Sequence, residues 1–136
     1  MPKRVVYFGL GSMLATMFES EEATALLQSC SSALEKLARN YPVVVVFHVT
    51  GLPDGCVLPK VDVAVSKSFI TYSGFIPHAW LFNKCSLIVT HGGAGSVHAA
   101  LQYALPADQP DRAEAASIVV LPCSAQSDQP MWGDLM

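Results

Sequence analysis

The sequence predicts an α/β domain of three layers, with a parallel sheet between helices. Five short runs rich in β-branched and aromatic residues alternate with helical or loop segments along 136 residues, the order that a parallel sheet with crossover connections requires. Several runs are continuously apolar, as in strands buried on both faces.

The first strand is Val5 to Phe8, ended by Gly9-Leu10-Gly11-Ser12. Lys3 and Arg4 before this run imitate a secretory leader, but the glycines interrupt it and it is too short to span a bilayer. Ser20 before Glu21 and Glu22 predicts an N-cap with two acids at the positive end of a helix dipole. Ala23, Leu26, Leu27, Cys30, Leu34, Leu37, Ala38 and Tyr41 follow as a 3.6-residue stripe, stopped by Asn40 and Pro42. Val43 to Phe47 is the second strand, followed by turn chemistry at Gly51-Leu52-Pro53-Asp54-Gly55. Cys56 to Ser68 has no period and reads as loop, with a partly covered helix or an edge strand as alternatives. Phe69 to Tyr72 is the third strand. Pro77 to Phe82 forms one short helix, its proline in the first turn. Leu87 to Thr90 is the fourth strand, feeding the loop THGGAGS and a helix with Val97, Ala100, Leu101 and Ala104 on one face. Ser117 to Leu121 is the fifth strand.

Half the residues are hydrophobic (51%), enough for one real core, so a single domain over residues 1–136 is expected. The interval 106–117 is polar and reads as a surface insertion. Eight basic residues against eleven acidic ones, without a basic run, argue against a nucleic-acid groove. Cys30, Cys56, Cys85 and Cys123 are widely spaced and never form C-x-x-C, so neither a zinc knuckle nor a redox pair is indicated. They read as reduced thiols of a cytoplasmic protein.

In parallel sheets, ligands lie beyond the carboxyl ends of the strands. The segments 9–12, 74–80, 91–96 and 124–129 are therefore the candidate sites. A helix that starts after a glycine turn offers unpaired N–H groups and a positive dipole end, which together hold an anion without a lysine. Neither familiar nucleotide motif fits: the loop has no Gly-Lys-Ser/Thr, and His98 occupies the third position of the dinucleotide fingerprint, as Leu14 does after Gly9-x-Gly11. Tight turns of an α/β fold explain such glycines equally well. His48 and His98 read as structural, and no partner for Asp54 or Asp62 is evident. No Ser-His-Asp order, carboxylate pair or metal cluster supplies a general base.

Four segments taken together carry more information. Gly9-Leu10-Gly11-Ser12-Met13, Phe75-Ile76-Pro77-His78-Ala79-Trp80-Leu81-Phe82, His91-Gly92-Gly93-Ala94-Gly95-Ser96 and Asp128-Gln129-Pro130 with Trp132 occur in this order. Their order and approximate spacing resemble the C-terminal, donor-binding domain of GT-B UDP-glycosyltransferases, with the sterol 3-beta-glucosyltransferases most similar. The resemblance implies a Rossmann-like domain that forms one half of a GT-B fold. It implies that Gly11, Ser12, His91, Gly93, Gly95 and Ser96 hold the diphosphate of a UDP-sugar. Trp80 would stack on uracil, backbone groups at Phe75 and Ile76 would read the base edge, and Asp128 and Gln129 would bond the sugar hydroxyls. Ala79 stands where the family usually has an acid, Asn83 where a proline is common, and Val97 where a second hydroxyl is frequent.

The activity so implied is inverting, metal-independent transfer of a hexose, with glucose expected, from UDP to a sterol or other lipid-like acceptor. No cofactor and no catalytic residue are expected in this chain. The acceptor domain or a separate subunit would supply the base, and the chain, truncated at both ends relative to the pattern, would be inactive alone. Membrane contact would come only through that partner or the acceptor. Two alternatives remain at this stage: the donor subunit of a split UDP-GlcNAc transferase, and a degenerate nucleotide-binding domain without catalysis.

Overall fold

The computed structural model describes residues 3–11, 14–104, 116–121 and 134. Five parallel strands form one sheet: β1 (Arg4–Gly9), β2 (Val43–His48), β3 (Phe69–Tyr72), β4 (Cys85–Thr90) and β5 (Ser117–Val120), in the order β3-β2-β1-β4-β5. The helices are α1 (Leu14–Met17), α2 (Ser20–Asn40), α3 (His78–Leu81) and α4 (Ala94–Ala104). Every predicted strand is present, with boundaries shifted by at most two residues.

Side-chain alternation divides the core into two layers. Val6 and Phe8 of β1, Val45 and Phe47 of β2 and Val89 of β4 join Leu27 and Leu34 of α2. Tyr7 and Ile88 point the other way and join Leu81, Phe82 and Ala100 from the α3–α4 side. A strand central to a parallel sheet is apolar on both faces for this reason, and the last four residues of β1 are all buried. Phe8 stacks on Phe47, ring centroids 5.1 Å apart, which locks β1 to β2 across the first layer.

Helix α2 is amphipathic, with Ala23, Leu27, Ser31 and Leu34 buried. Its start corrects one expectation. Ser20 lies inside the helix and Glu19 is the N-cap, because the Glu22 carboxylate accepts the Glu19 backbone N–H at 3.2 Å. At the other end the Asn40 amide donates to the Lys36 carbonyl, and Tyr41 N–H to Leu37, before Pro42 ends the helix.

Two short elements add to the sequence reading, the second of them the helix alternative for part of Cys56 to Ser68. Residues 14–17 form a single turn tied down by Ala15 N–H donating to Gly51 O. Val63–Ser68 is a 3-10 helix. Asp62, for which no partner was evident, caps that helix by accepting from Ala64 N–H and also pairs with Arg39 at 2.6 Å. The two interactions hold its carboxyl below the usual range, the backbone bond contributing first. Among the described residues, no helix is long and apolar enough to cross a membrane.

Candidate functional site

The strand order reverses at β1: the chain moves outward through β2 and β3, then crosses back to β4 on the opposite side. In an open parallel sheet this leaves a crevice beyond the carboxyl ends of the two diverging strands. A cleft of about 550 Å³ occupies that place, lined by Tyr7, Gly11, His48, Gly74, Ile76 and Ser96 among others. Three sequence-distant segments singled out by motif thus meet in one hollow: the turn after β1, the loop before α3 and the start of α4.

The turn after β1 needs glycine. Gly11 has φ of 76°, in the left-handed region, and its carbonyl accepts from the Thr50 hydroxyl at 3.2 Å. A Cβ at Gly11 would lie 2.5 Å from Cε1 of His91, and one at Gly93 would overlap the same ring at Nε2. The His91 imidazole is therefore a buried spacer between the two glycine turns, 7% exposed, with Nδ1 3.4 Å from the Thr90 hydroxyl. Gly92 reverses the chain after β4 with φ of 89°. Helix α4 follows, its first internal bond running from Val97 N–H to Gly93 O. The amides of Ala94, Gly95 and Ser96 precede that bond and have no partner among the described residues, so they offer donors at the positive end of the helix dipole. Among the described residues, nothing lies within 4 Å of where a Cβ on Gly95 would stand.

The opposite wall is the loop after β3. No hydrogen bond among the described residues engages the backbone of Phe75 or Ile76, and Phe75 is 85% exposed. Trp80 does not line the cleft with Gly11 and Ser96. It is 60% exposed on α3 and faces an adjoining hollow of about 340 Å³, which shares Phe75 and Ile76 with the cleft. The Lys84 ammonium lies 5.2 Å from the Trp80 ring centroid. Ser12, Asp128 and Gln129, with Trp132 and residues 106–115, lie outside the described residues; Ala116 is buried and Ser117 opens β5.

The floor holds side chains that the sequence did not single out for the site. The Tyr7 hydroxyl is 2.9 Å from His48 Nδ1, and His48 Nε2 is 2.7 Å from the Gly74 carbonyl. Burial pushes the Tyr7 phenol far above its ordinary range. His78 lies with its ring stacked on Phe82, and burial, with a smaller contribution from His48, holds its imidazole below the usual value. No carboxylate lines the cleft among the described residues.

A second hollow of about 470 Å³ opens at the amino ends of the strands, between Arg4, Leu37, Pro42 and Ser117. Among its described lining residues it has no glycine turn and no helix start, and Arg4 is its one charged group.

No protein-family model matches the chain. It is 34% identical over 68 residues, half of its length, to a sterol 3-beta-glucosyltransferase of Arabidopsis thaliana. A sterol 3-beta-glucosyltransferase of Kluyveromyces lactis is 32% identical over 111 residues, 78% of this chain. Among solved structures, the glycotransferase of kitacinnamycin superposes on 97% of the chain with a TM-score of 0.62 at 18% identity. The glycosyltransferase SnogD from Streptomyces nogalater covers 96% with a TM-score of 0.60 at 21% identity.

The chain has the fold of one half of a GT-B glycosyltransferase, and its sequence resembles part of the sterol 3-beta-glucosyltransferases.

It spans 9% and 8% of the two curated sterol 3-beta-glucosyltransferases, and 27% and 28% of the two solved chains. The expected Rossmann-like half of a GT-B fold is present as the five-stranded parallel sheet with helices on both faces.

Proposed function

We propose that this glycosyltransferase domain binds a UDP-sugar in the cleft beyond β1 and β4, as the donor half of an inverting, metal-independent hexosyltransferase. The observation that carries the reading is the convergence of Gly11 and Ser96 on one cleft, at the start of α4. A diphosphate there meets the amides of Ala94, Gly95 and Ser96, the Ser96 hydroxyl and the positive end of the α4 dipole. Each such dipole interaction is worth about 0.3–1 kcal/mol at an exposed site, and more as the site closes.

The uracil belongs against Phe75 and Ile76, whose backbone groups, unengaged among the described residues, suit its edge, with Trp80 on the adjoining wall as the stacking surface. Bond cleavage at the anomeric carbon leaves negative charge on the UDP β-phosphate, and donors already aimed at that position stabilise it more than the ground state. The names of the relatives support glucose as the sugar and a sterol as the acceptor. The acceptor pocket and the general base come from an acceptor-binding domain or subunit outside this chain.

Calorimetry with UDP and UDP-glucose tests the reading. One-site binding of both, weakened by Ser96→Ala and unchanged by Asp108→Ala in the polar interval 106–117 that the resemblance gives no role, is the expected result. A folded chain that takes up neither contradicts it.

A further inference from the structure

We propose that Tyr7 and His48 form a hydrogen-bonded latch that fixes the Gly74–Ile76 backbone at the cleft, which makes both positioning residues for the base end of the ligand. The inference rests on the proposed donor site in assigning that end of the cleft to the base. The latch itself stands on geometry. Tyr7 lies on central β1, His48 is the last residue of β2, and Gly74 follows β3. One file of contacts, 2.9 Å and then 2.7 Å, runs through the His48 ring from the buried centre of the sheet to the loop.

The protons in this file are assigned by the chemistry of its two ends. A carbonyl only accepts, so His48 Nε2 carries the hydrogen given to Gly74 O. In the neutral imidazole Nδ1 then has a lone pair, and the Tyr7 hydroxyl must donate to it. The Tyr7 ring is held in turn by edge contacts to Phe82 at 5.1 Å and to His78 at 6.3 Å. The ring of Tyr72 lies along His48 at 6.2 Å and 28°. A Cβ on Gly74 would overlap the Tyr72 hydroxyl, so the loop passes directly under that ring. Among the described residues, Gly74 O is the last backbone group of the loop with an internal partner before Phe75 and Ile76, whose backbones have none there. Releasing Gly74 would let both turn away from the cleft.

The test uses the full 136-residue chain and four proteins: wild type, Tyr7→Phe, His48→Leu and His48→Gln. Tyr7→Phe keeps the ring and removes only the donor, so it reports even where His48→Leu fails to fold. NMR order parameters of residues 74–76 are expected to fall from the rigid value of ~0.85 to below ~0.6 in Tyr7→Phe and His48→Leu. His48→Gln, which retains an N–H able to reach Gly74 O, should restore them. Uridine binding should weaken about tenfold in the first two variants, while inorganic pyrophosphate, held at α4, changes less than about twofold. Unchanged order parameters in both Tyr7→Phe and His48→Leu overturn the latch, as does equal weakening of uridine and pyrophosphate. A wild-type chain that binds neither uridine nor UDP, yet loosens at residues 74–76 on substitution, removes the donor-site reading and leaves the latch standing.

Discussion

Gly11 and His91 are in direct contact: the space a Cβ would need on Gly11 is filled by the edge of the His91 ring, 2.5 Å away at Cε1. The contact joins the turn after β1 to the turn after β4, the two chain reversals that flank the cleft. Gly11→Ala therefore meets a left-handed backbone and an overlap at once. The expected loss is about 2–5 kcal/mol of stability, from about 1–2 for the backbone and about 1–3 for overpacking. Urea denaturation reads it, and a change below about 0.5 kcal/mol would show that the turn yields freely.

Gly95 is the contrasting case. It lies in the first turn of α4 with open space at its Cβ position, so Gly95→Ala should leave stability unchanged or raise it by about 0.5 kcal/mol. The added methyl would stand where the diphosphate approaches the amides. UDP affinity should accordingly fall at least about tenfold while the melting temperature holds. If affinity is kept as well, the glycine serves the turn alone.

Ser31 is fully buried in α2 and its hydroxyl has no hydrogen-bond partner among the described residues. Desolvating an unpaired hydroxyl costs about 1–3 kcal/mol, and alanine is also the better helix former. Ser31→Ala should therefore stabilise the chain by about 1 kcal/mol in thermal or urea denaturation. Destabilisation would mean that the hydroxyl contributes packing that alanine cannot replace.

The sheet was legible because each strand is a local apolar run, and α2 because its stripe is 3.6-periodic over 21 residues. Glu19 was missed as the N-cap because Ser20 is the stronger capping type, while the Glu22 carboxylate reaches back to Glu19 N–H. The 3-10 helix at Val63–Ser68 has no periodic stripe, and its cap Asp62 pairs with Arg39, which is 23 residues away. Motif order named Gly11, Ser96, Phe75 and Ile76, and the fold brings all four to one cleft. It could not place Trp80 on the adjoining hollow, since the facing of a one-turn helix depends on packing. Nor could it find Tyr7 with His48, which are 41 residues apart and joined only by strand register.

Acid should weaken the fold through His78. Its imidazole is held below the ordinary value, first by burial and then by His48. The unfolded chain therefore takes up this proton first as pH drops below about 6.5. Stability is full above that value and declines as pH falls towards the folded value. His78→Phe, which keeps a ring to stack on Phe82, should flatten the melting-temperature profile between about pH 7.5 and 5.5. An equally steep profile in the variant assigns the acid sensitivity to other groups.

The most direct test of the donor site is a two-dimensional NMR titration of the chain with UDP. Saturable shifts are expected at the amides of Gly11, Phe75, Ile76, Gly95 and Ser96, around one cleft. No shifts, or shifts confined to Arg4, Leu37, Tyr41 and Ser117 at the amino ends of the strands, would contradict the assignment.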